Sequence, residues 1–508
     1  MTIVTPEWVK DAIFYQIFPD RFARSERVTK KGLNLESWDS PPNIYGFKGG
    51  DLLGVAENLD YLLELGITSI YLNPIFSSAS NHRYHTYDYY TVDPLLGGNT
   101  ALRELLDAAH ARGLRVVLDG VFNHASRGFW QFHHVLENGA ASPYVDWFHF
   151  NPEFLRGKKR WGAYPSEAQI RLLQGGANSY EALGYAAWWN LPALPKFNTA
   201  TPAVREFLWD AAVHWLKFGI DGWRLDVPAD IDDDSFWQEF RRQVKETNPE
   251  AYIVAEIWHE AQRWLQGDQF DAVMNYVMTG ALLGFLMKDK LDDEMFRIGD
   301  YGQYLRPLDG PAFADRIDHL LGLYDPAINQ VQFNLLDSHD TPRFITTAHD
   351  DESALRLGWM FIFTFPGAPC IYYGDEIGLI GGADPDCRKT FPWEPEKWNL
   401  DLRQYLKRLI ALRKSHPALR RGKFQRLAAS ESVYVFGRKL ESDALIVTIN
   451  SSNSTQTLDI PVQALQWSDG PLSVLMGEFN DSPLVINGQV KDLKLAPRSG
   501  AILTKQLI

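Results

Sequence analysis

The chain repeats one local pattern, in which apolar residues at helical spacing are followed by a break and then by a short apolar stretch. Residues 58–65 show it first: leucines recur at helical spacing, Gly66 ends the stretch, and residues 67–72 have the apolar run of a buried strand. Further helices are predicted at the stripe of Leu102, Leu105, Leu106 and Ala109 and over residues 204–218, 236–244 and 353–363.

Eight strands are predicted in this alternating part of the chain. They lie at residues 13–18, 67–72 and 115–118, around Trp223, from Tyr252, at 272–275, from Phe333 and at 370–373. Strands that alternate with helices pair in parallel through crossover helices. The count of eight favours a (β/α)8 TIM barrel, which is an α/β fold, over a doubly wound sheet, which alternates in the same way.

Two regions break the alternation. Residues 125–195 follow the third strand, lack a clear helix–strand unit and are rich in aromatic residues, Gly and Pro, which is typical of an insertion at the functional face of a barrel. After residue 422, short alternating strands such as 433–436 and 444–448 indicate a β-sandwich. We therefore predict a barrel built from residues 1–124 and 196–422, an inserted domain at 125–195 and a C-terminal β-sandwich domain at 423–508.

Acidic residues or histidines follow four of the predicted strands. They are Asp119 and His124, Asp226, Glu256, and His339 and Asp340. A carboxylate directly after a buried strand is costly unless it finds a partner or shifts its pKa. All strands of a parallel barrel end on one face, where active sites lie. These carboxylates are therefore expected to converge on one cleft, although any single one could simply cap the next helix.

Composition and charge narrow the function classes. A net charge of −14 argues against nucleic acid or an anionic membrane as the main partner. The most apolar stretch, residues 359–373, is broken by prolines and is shorter than a membrane span. The chain starts without a basic segment followed by an apolar core, and Cys370 and Cys387 cannot form a disulfide framework. We expect a cytoplasmic protein that needs no cofactor.

The strand-end carboxylates fit glycoside hydrolysis, which needs one carboxylate as nucleophile and a second carboxyl group as acid and base. Arg224 lies two residues before Asp226, so both side chains point to the same side of the strand, and the arginine is expected to keep Asp226 ionised. Glu256 precedes Ile257 and Trp258, an apolar setting that suits a proton donor.

These segments carry a family resemblance. Residues 119–124, 222–226, the strand that ends at Glu256, and His339-Asp340 resemble, in order, the four signature segments of the α-amylase family, glycoside hydrolase family 13. Residues 194–198, Leu-Pro-Lys-Phe-Asn, resemble a further segment near the end of its inserted domain.

The resemblance implies a role for each matching residue. Asp226 would be the nucleophile, Glu256 the acid/base and Asp340 the group that stabilises the transition state. The sugar at the cleaved bond would contact Tyr84, His124, Arg224 and His339. A structural histidine at position 124 or 339, or a core tyrosine at position 84, is the alternative.

Three further segments resemble neopullulanases and cyclomaltodextrinases. These are residues 256–259, 264–271 and 381–388. In that subgroup, the positions of Asp384 and Arg388 hold the second sugar, and that of Trp258 lies near the leaving group. A surface salt bridge is the alternative for Asp384 and Arg388.

Three departures from these relatives affect the expected substrate. The barrel pattern begins almost at once, at residues 8–19, where such relatives usually have an extra N-terminal domain that narrows the cleft and builds their dimer. We therefore expect a wider groove that admits longer or branched glucans, and any homodimer would use another surface. The family often has Asn-Glu where this chain has Ala229-Asp230, and the basic loop 24–35 lacks calcium ligands, so no metal is predicted.

The sequence thus predicts a retaining hydrolase of α-1,4 and also α-1,6 bonds in maltooligosaccharides and α-glucans. Transglycosylation on the same scaffold and an ordinary cyclomaltodextrinase acting on short and cyclic oligosaccharides are the alternatives. An inactive carbohydrate-binding homologue would lack one of the three carboxylates. A phosphate-binding barrel enzyme is disfavoured because Gly374-Asp375-Glu376 is acidic where a phosphate loop would lie.

Overall fold

The barrel is the largest unit of the computed structural model, which describes residues 3–157, 162–288, 290–291, 302, 304–479 and 481–505. Up to residue 372 the strands are β1 (Phe14–Ile17), β2 (Ser69–Leu72), β3 (Phe76–Ser78), β4 (Thr86–Val92), β5 (Arg115–Gly120), β6 (Gly222–Leu225), β7 (Tyr252–Ala255), β8 (Ala272–Val273), β9 (Phe333–Asn334) and β10 (Ala368–Tyr372). Eight of them pair in parallel in the order β8-β7-β6-β5-β2-β1-β10-β9. A parallel bridge between Met274 and Phe333 joins the first to the last, which closes the predicted (β/α)8 barrel.

Buried residues and a glycine in the strands account for the close packing of the barrel. Every residue of β1, β2, β6 and β7 is buried, so these strands are apolar runs rather than alternating ones. Gly222 begins β6 where a Cβ atom would lie 2.3 Å from the carbonyl oxygen of Tyr252 in β7. A side chain at position 222 would therefore push apart the two strands that end at Asp226 and Glu256.

The helices among the described residues alternate with the barrel strands. They are α1 (Pro19–Phe22), α2 (Leu52–Glu57), α3 (Leu59–Leu65), α4 (Gly98–Ala111), α5 (Trp130–Asn138), α6 (Pro152–Leu155), α7 (Glu167–Gln174), α8 (Ser179–Ala182), α9 (Pro202–Phe218), α10 (Asp234–Thr247), α11 (Tyr276–Leu286), α12 (Gly310–Leu323), α13 (Pro326–Asn329), α14 (Phe344–Thr347), α15 (Glu352–Thr364), α16 (Leu400–Ser415) and α17 (Pro417–Arg421). The predicted helix stop at Gly66 lies at φ +103°, in the left-handed region that glycine adopts without strain.

Local sequence explains helix α10, which connects β6 to β7, the two strands that lead to Asp226 and Glu256. In α10 the Asp233 carboxylate accepts a hydrogen bond from the Phe236 amide at 3.1 Å and caps the first turn. The buried residues of α10 are Phe236, Trp237, Phe240 and Val244, which lie on one face of the helix. Packing of this face against the barrel fixes the segment between β6 and β7.

The segment between β5 and α9 contains α5 to α8 and several isolated antiparallel bridges. His124 pairs with Lys196, and Phe148 pairs with Phe197. The two ends of the segment are thus joined next to the carboxyl end of β5. Residues 158–161, within the predicted inserted domain, lie outside the described residues.

The C-terminal strands form a separate antiparallel sheet, as predicted. They are β11 (Lys423–Ser430), β12 (Val433–Leu440), β13 (Asp443–Asn450), β14 (Gln456–Pro461), β15 (Gly470–Met476), β16 (Leu484–Ile486), β17 (Gln489–Leu495) and β18 (Ser499–Lys505). Two buried arginines, Arg413 of α16 and Arg438 of β12, donate to the Leu419 carbonyl oxygen at 3.1 and 2.9 Å and so join the barrel to this sheet. Residues 506–508 of the predicted domain lie outside the described part.

No helix within the described ranges has both the length and the apolar character needed to cross a bilayer.

Candidate active site

The predicted carboxylates meet at the carboxyl end of the barrel. Asp226 follows β6, Glu256 follows β7, and Asp340 lies in the turn beyond β9. All three line one cavity of about 600 Å³. Their convergence follows from the parallel strands, since Asp226 and Glu256 come directly after strands that end at this face and Asp340 lies in the segment that follows a third one.

Arg224 connects the carboxylates. Its Nη1 atom donates to Asp119 Oδ1 and to Asp226 Oδ1, both at 3.0 Å, and its Nη2 atom lies 3.0 Å from Glu256 Oε2. The guanidinium is fully buried, and its planar fork can serve several carboxylates at once. One side chain therefore fixes Asp226 and Glu256 relative to each other.

A strained backbone links the same two residues. Val227, directly after Asp226, lies at φ +35°, a region that β-branched residues rarely adopt. Its amide donates to Glu256 Oε2 at 3.0 Å, and the indole Nε1 of Trp258 donates to Glu256 Oε1 at 3.1 Å. Glu256 is thus held by a donor at each oxygen. Such strain is kept where the surrounding structure over-determines the backbone, as in active sites.

A chain of hydrogen bonds orients Asp340. The side-chain amide of Gln16 lies 2.9 Å from His339 Nδ1, which leaves the proton of the ring on Nε2. That Nε2 lies 3.1 Å from Asp340 Oδ2 and 2.5 Å from the Tyr84 hydroxyl. The Tyr84 hydroxyl in turn donates to Asp119 Oδ2 at 2.9 Å. His339 and Tyr84 are therefore parts of the site and not isolated core residues.

Asp384 and Arg388 form an ion pair on the cavity wall. Arg388 Nη1 lies 2.9 Å from Asp384 Oδ1, and Arg388 Nη2 lies 3.3 Å from Asp340 Oδ1. The sequence left two interpretations of this pair, a contact to the second sugar and a surface salt bridge. The two are compatible, because Asp384 and Arg388 form a salt bridge and also line the cavity with Asp340.

The expectation that Arg224 keeps Asp226 ionised is wrong. Burial, followed by the charge of Glu256, raises the pKa of Asp226 well above its ordinary value, against the opposing effect of Arg224. Burial is the main cause, and the opposing effect of Arg224 is limited because one guanidinium serves Asp119, Asp226 and Glu256 together. Burial and the charge of Glu256 also raise the pKa of Asp340, to about 7. The protonated forms of Asp226 and Asp340 are therefore favoured more than in ordinary aspartates.

Burial disfavours the charged form of four histidines at or beside the cavity. Burial lowers the pKa of His124 to about 3 and that of His85 to about 4, and it lowers the pKa of His82 and His339 well below the ordinary value. A neutral imidazole adds no charge to the cluster and can both donate and accept a hydrogen bond. His124 lines the cavity as predicted and stacks on Trp188, with ring centroids 5.0 Å apart.

Sequence reasoning missed several cavity residues. His82, His85, Trp188 and Trp189 line the cavity but were not singled out. His82 and His85 lie beside Tyr84, for which the family resemblance implies a sugar contact, so their closeness to Tyr84 in sequence could have indicated them. The adjacent tryptophans before residues 194–198 were a second one.

The described part of the chain shows no arrangement of side chains suited to a metal ion. There, no group of three or more His, Cys, Asp or Glu side chains is arranged to hold a metal ion. In the loop 24–35, Arg27 Nη2 donates to Glu104 Oε2 at 2.8 Å, and Lys30 pairs with Asp51. The absence of a metal requirement stays a prediction.

Known proteins match the chain over most of its length. Residues 16–399 match the alpha amylase catalytic domain, and residues 422–482 match the alpha-amylase C-terminal domain. A cyclomaltodextrinase of Geobacillus thermopakistaniensis (strain MAS1) is 44% identical over 90% of this chain and 72% of that protein. Neopullulanase 2 of Thermoactinomyces vulgaris is 40% identical over 98% of this chain and 78% of that protein.

A solved structure is also similar to this chain over almost its whole length. The crystal structure of a debranching enzyme from Nostoc punctiforme superposes with a TM-score of 0.86 at 47% identity, covering 99% of this chain and 100% of that one. With the barrel, the C-terminal sheet and the ordered motifs already in place, these matches lead to one conclusion: the chain belongs to the α-amylase family.

Proposed function

We propose that this protein is a retaining hydrolase of α-glucosidic bonds in maltooligosaccharides and α-glucans. The observation that carries the proposal is the state of Asp226. Its Oδ1 atom accepts from Arg224 at 3.0 Å, whereas its Oδ2 atom is buried and has no hydrogen-bond partner among the described residues. A buried carboxylate oxygen without a partner is costly unless a ligand uses it, and Asp226 lines the cavity together with Glu256 and Asp340.

The proposed reaction has two steps. In the reactive form Asp226 is ionised and Glu256 is protonated, which removes the Glu256 charge that raises the pKa of Asp226. Asp226 Oδ2 attacks the anomeric carbon, the bond to the glycosidic oxygen breaks, and Glu256 gives its proton to that oxygen. Water then attacks the same carbon, Glu256 takes a proton from the water, and the bond to Asp226 breaks. Two inversions retain the α configuration. Glu256 Oε2 accepts the Val227 amide and lies 3.0 Å from the Arg224 cation, which disfavours a proton there. We therefore place the transferred proton on Oε1, which accepts the uncharged Trp258 indole.

The remaining side chains would stabilise the positive charge that develops on the sugar or hold the sugar in place. Asp340, oriented by His339 and Arg388, would face the oxocarbenium-like centre, where a negative charge lowers the barrier. Tyr84 and His124 would contact the same sugar. Asp384 and Arg388 would hold the next sugar of the donor chain.

We propose that α-1,6 bonds are substrates as well as α-1,4 bonds. The 47% identity to the debranching enzyme from Nostoc punctiforme supports this extension. The 44% identity to a cyclomaltodextrinase keeps short and cyclic oligosaccharides as alternative substrates. Transglycosylation would share the same covalent intermediate. The homodimer and the cytoplasmic location stay predictions.

The bond and chain-length preference is tested by comparing kcat/KM across substrates. The series contains maltooligosaccharides, cyclodextrins and glucans with short and long branches, with Glu256→Gln as the inactive reference. We expect linear and branched glucans to be hydrolysed and branches to be released. Turnover of only cyclodextrins and the shortest oligosaccharides, with branch points untouched, would restrict the function to an ordinary cyclomaltodextrinase. Equal, background-level release by wild type and Glu256→Gln would refute the proposed activity.

A further inference from the structure

A stack of aromatic rings leads from the centre of the cavity into solvent. The Trp188 ring lies on the His124 ring, and the Trp189 ring lies on the Trp188 ring with centroids 4.6 Å apart and planes 10° apart. The side chains of both tryptophans line the cavity. Trp189 is nevertheless 74% exposed, so hydrophobic burial does not account for its position.

The backbone around this stack is held in an unfavourable conformation. Trp189 lies at φ +50° and Asn190 at φ +58°, two consecutive non-glycine residues in the left-handed region. Asn190 is fixed because its Oδ1 atom accepts from the Ser179 amide at 2.7 Å. A strained backbone that presents an exposed tryptophan to a cavity is an arrangement that binding sites keep and that folding alone does not favour.

Asp230 locks the inner ring of the stack. The indole Nε1 of Trp188 donates to Asp230 Oδ2 at 2.7 Å, and Lys196 Nζ donates to the Asp230 carbonyl oxygen at 2.6 Å. Asp230 belongs to the Ala229-Asp230 pair, where this chain departs from the Asn-Glu that the family often has. The departure thus has a structural consequence, since the residue at this position holds an aromatic wall of the cavity.

The connections of Asp230 place the stack on the leaving-group side of the cleaved bond. Asp230 follows Val227 by three residues, and the Val227 amide holds Glu256, which must protonate the leaving oxygen. Asp384 and Arg388 pair with each other on the cavity wall, and Arg388 lies 3.3 Å from Asp340. The tryptophan stack and the Asp384–Arg388 pair are therefore connected to different catalytic carboxylates.

We propose that Trp188 and Trp189, locked by Asp230, form a sugar-binding platform for the glucan chain on the leaving-group side. The proposal rests on the proposed function and deepens it. The outer face of Trp189 is flat and has no aromatic neighbour among the described residues, so it can stack on the apolar face of a glucose ring. The same platform would position an acceptor sugar in transglycosylation, which makes Trp189 a specificity-determining residue.

The test compares two substrates that differ in their leaving group. Maltotetraose places sugars on the leaving-group side, whereas α-maltosyl fluoride leaves that side empty because fluoride departs. The measured quantity is the ratio of kcat/KM for maltotetraose to kcat/KM for α-maltosyl fluoride. In Trp189→Ala this ratio is expected to fall about tenfold, and in Asp230→Ala it is expected to fall by a smaller factor. Trp189→Phe keeps a flat ring and should restore most of the ratio.

Trp130→Ala is the matched control, because Trp130 is a 62% exposed tryptophan in α5 that does not line the cavity. Its ratio should equal that of the wild type, and melting temperatures check that every variant folds. A ratio in Trp189→Ala equal to that of the control would overturn the proposal. An equal loss on both substrates would also overturn it, because the tryptophan would then act on the donor side or on the fold. Failure of the wild type on both substrates would instead refute the proposed hydrolase.

Discussion

Replacing Asp226 with Asn is expected to lower kcat by roughly 10⁴-fold or more, because the amide cannot form the covalent intermediate. Replacing Glu256 with Gln is expected to lower kcat on maltooligosaccharides by about 10²–10⁴-fold, because the proton for the leaving oxygen is lost. Neither change should lower the melting temperature at neutral pH. Burial already raises the pKa of Asp226, so a neutral side chain of the same shape suits that position.

Asp221→Asn provides the matched control for this pair. Asp221 is also a buried carboxylate beside β6, but it lies at the opposite end of the strand and pairs with Arg115 at 2.8 Å. Its replacement should lower the melting temperature while kcat stays near that of the wild type, the reverse of the pattern for Asp226→Asn. Near-normal turnover in Asp226→Asn or Glu256→Gln would remove that residue from the mechanism.

Replacing Asp340 with Asn is expected to lower kcat/KM about 10²–10³-fold, since a charge that stabilises the transition state is lost. The same change should stabilise the fold more at pH 8 than at pH 5. Asp340 has a pKa of about 7 in the folded protein against 3.8 for an ordinary Asp, so the folded state retains a proton that the unfolded state has released. Raising the pH through this window therefore costs the wild type stability, which Asn does not lose.

Melting temperatures of both proteins at pH 5, 6.5 and 8 test this sign. The difference between Asp340→Asn and wild type should grow steadily with pH. A constant difference, or one that shrinks as the pH rises, would show that Asp340 is already ionised at pH 5 in the folded protein. If the variant loses activity but shows no such pH trend, Asp340 keeps its catalytic role, but its pKa is not raised in the folded protein.

The barrel and the meeting of the carboxylates could be predicted because topology alone decides them. Once eight strands run in parallel, Asp226, Glu256 and Asp340 must lie at one face, whatever the details of packing. Helix α11 was not predicted, because all of its residues from Tyr276 to Leu286 are buried and an evenly apolar helix has no amphipathic period.

The protonation of the site could not be predicted from one strand at a time. Arg224 is close in sequence to Asp226, which suggested a simple ion pair. Asp119 and Glu256 come from neighbouring strands and share the same guanidinium, and only their three-dimensional arrangement shows that negative charge is in excess. The spacing of residues in the sequence shows which side chains are close along one strand, but not which side chains of neighbouring strands they contact.

The aromatic platform was missed for a different reason. Residues 125–195 lack a clear helix–strand unit, so the pattern did not predict the direction of the Trp188 and Trp189 side chains. Their stacking depends on the left-handed backbone at Trp189, a conformation that the sequence of a non-glycine residue does not predict. The same holds for Val227, whose strained amide holds Glu256.

The most direct test of the central claim is to trap the intermediate on Asp226. Glu256→Gln is mixed with α-maltosyl fluoride, quenched in acid, digested and analysed by mass spectrometry. Asp226 can attack the anomeric carbon, because fluoride leaves without a proton from residue 256, but water is then not activated and the ester accumulates. The account predicts a peptide that carries one maltosyl unit on Asp226. A maltosyl unit on another carboxylate, or turnover of the fluoride without any labelled protein, would contradict it.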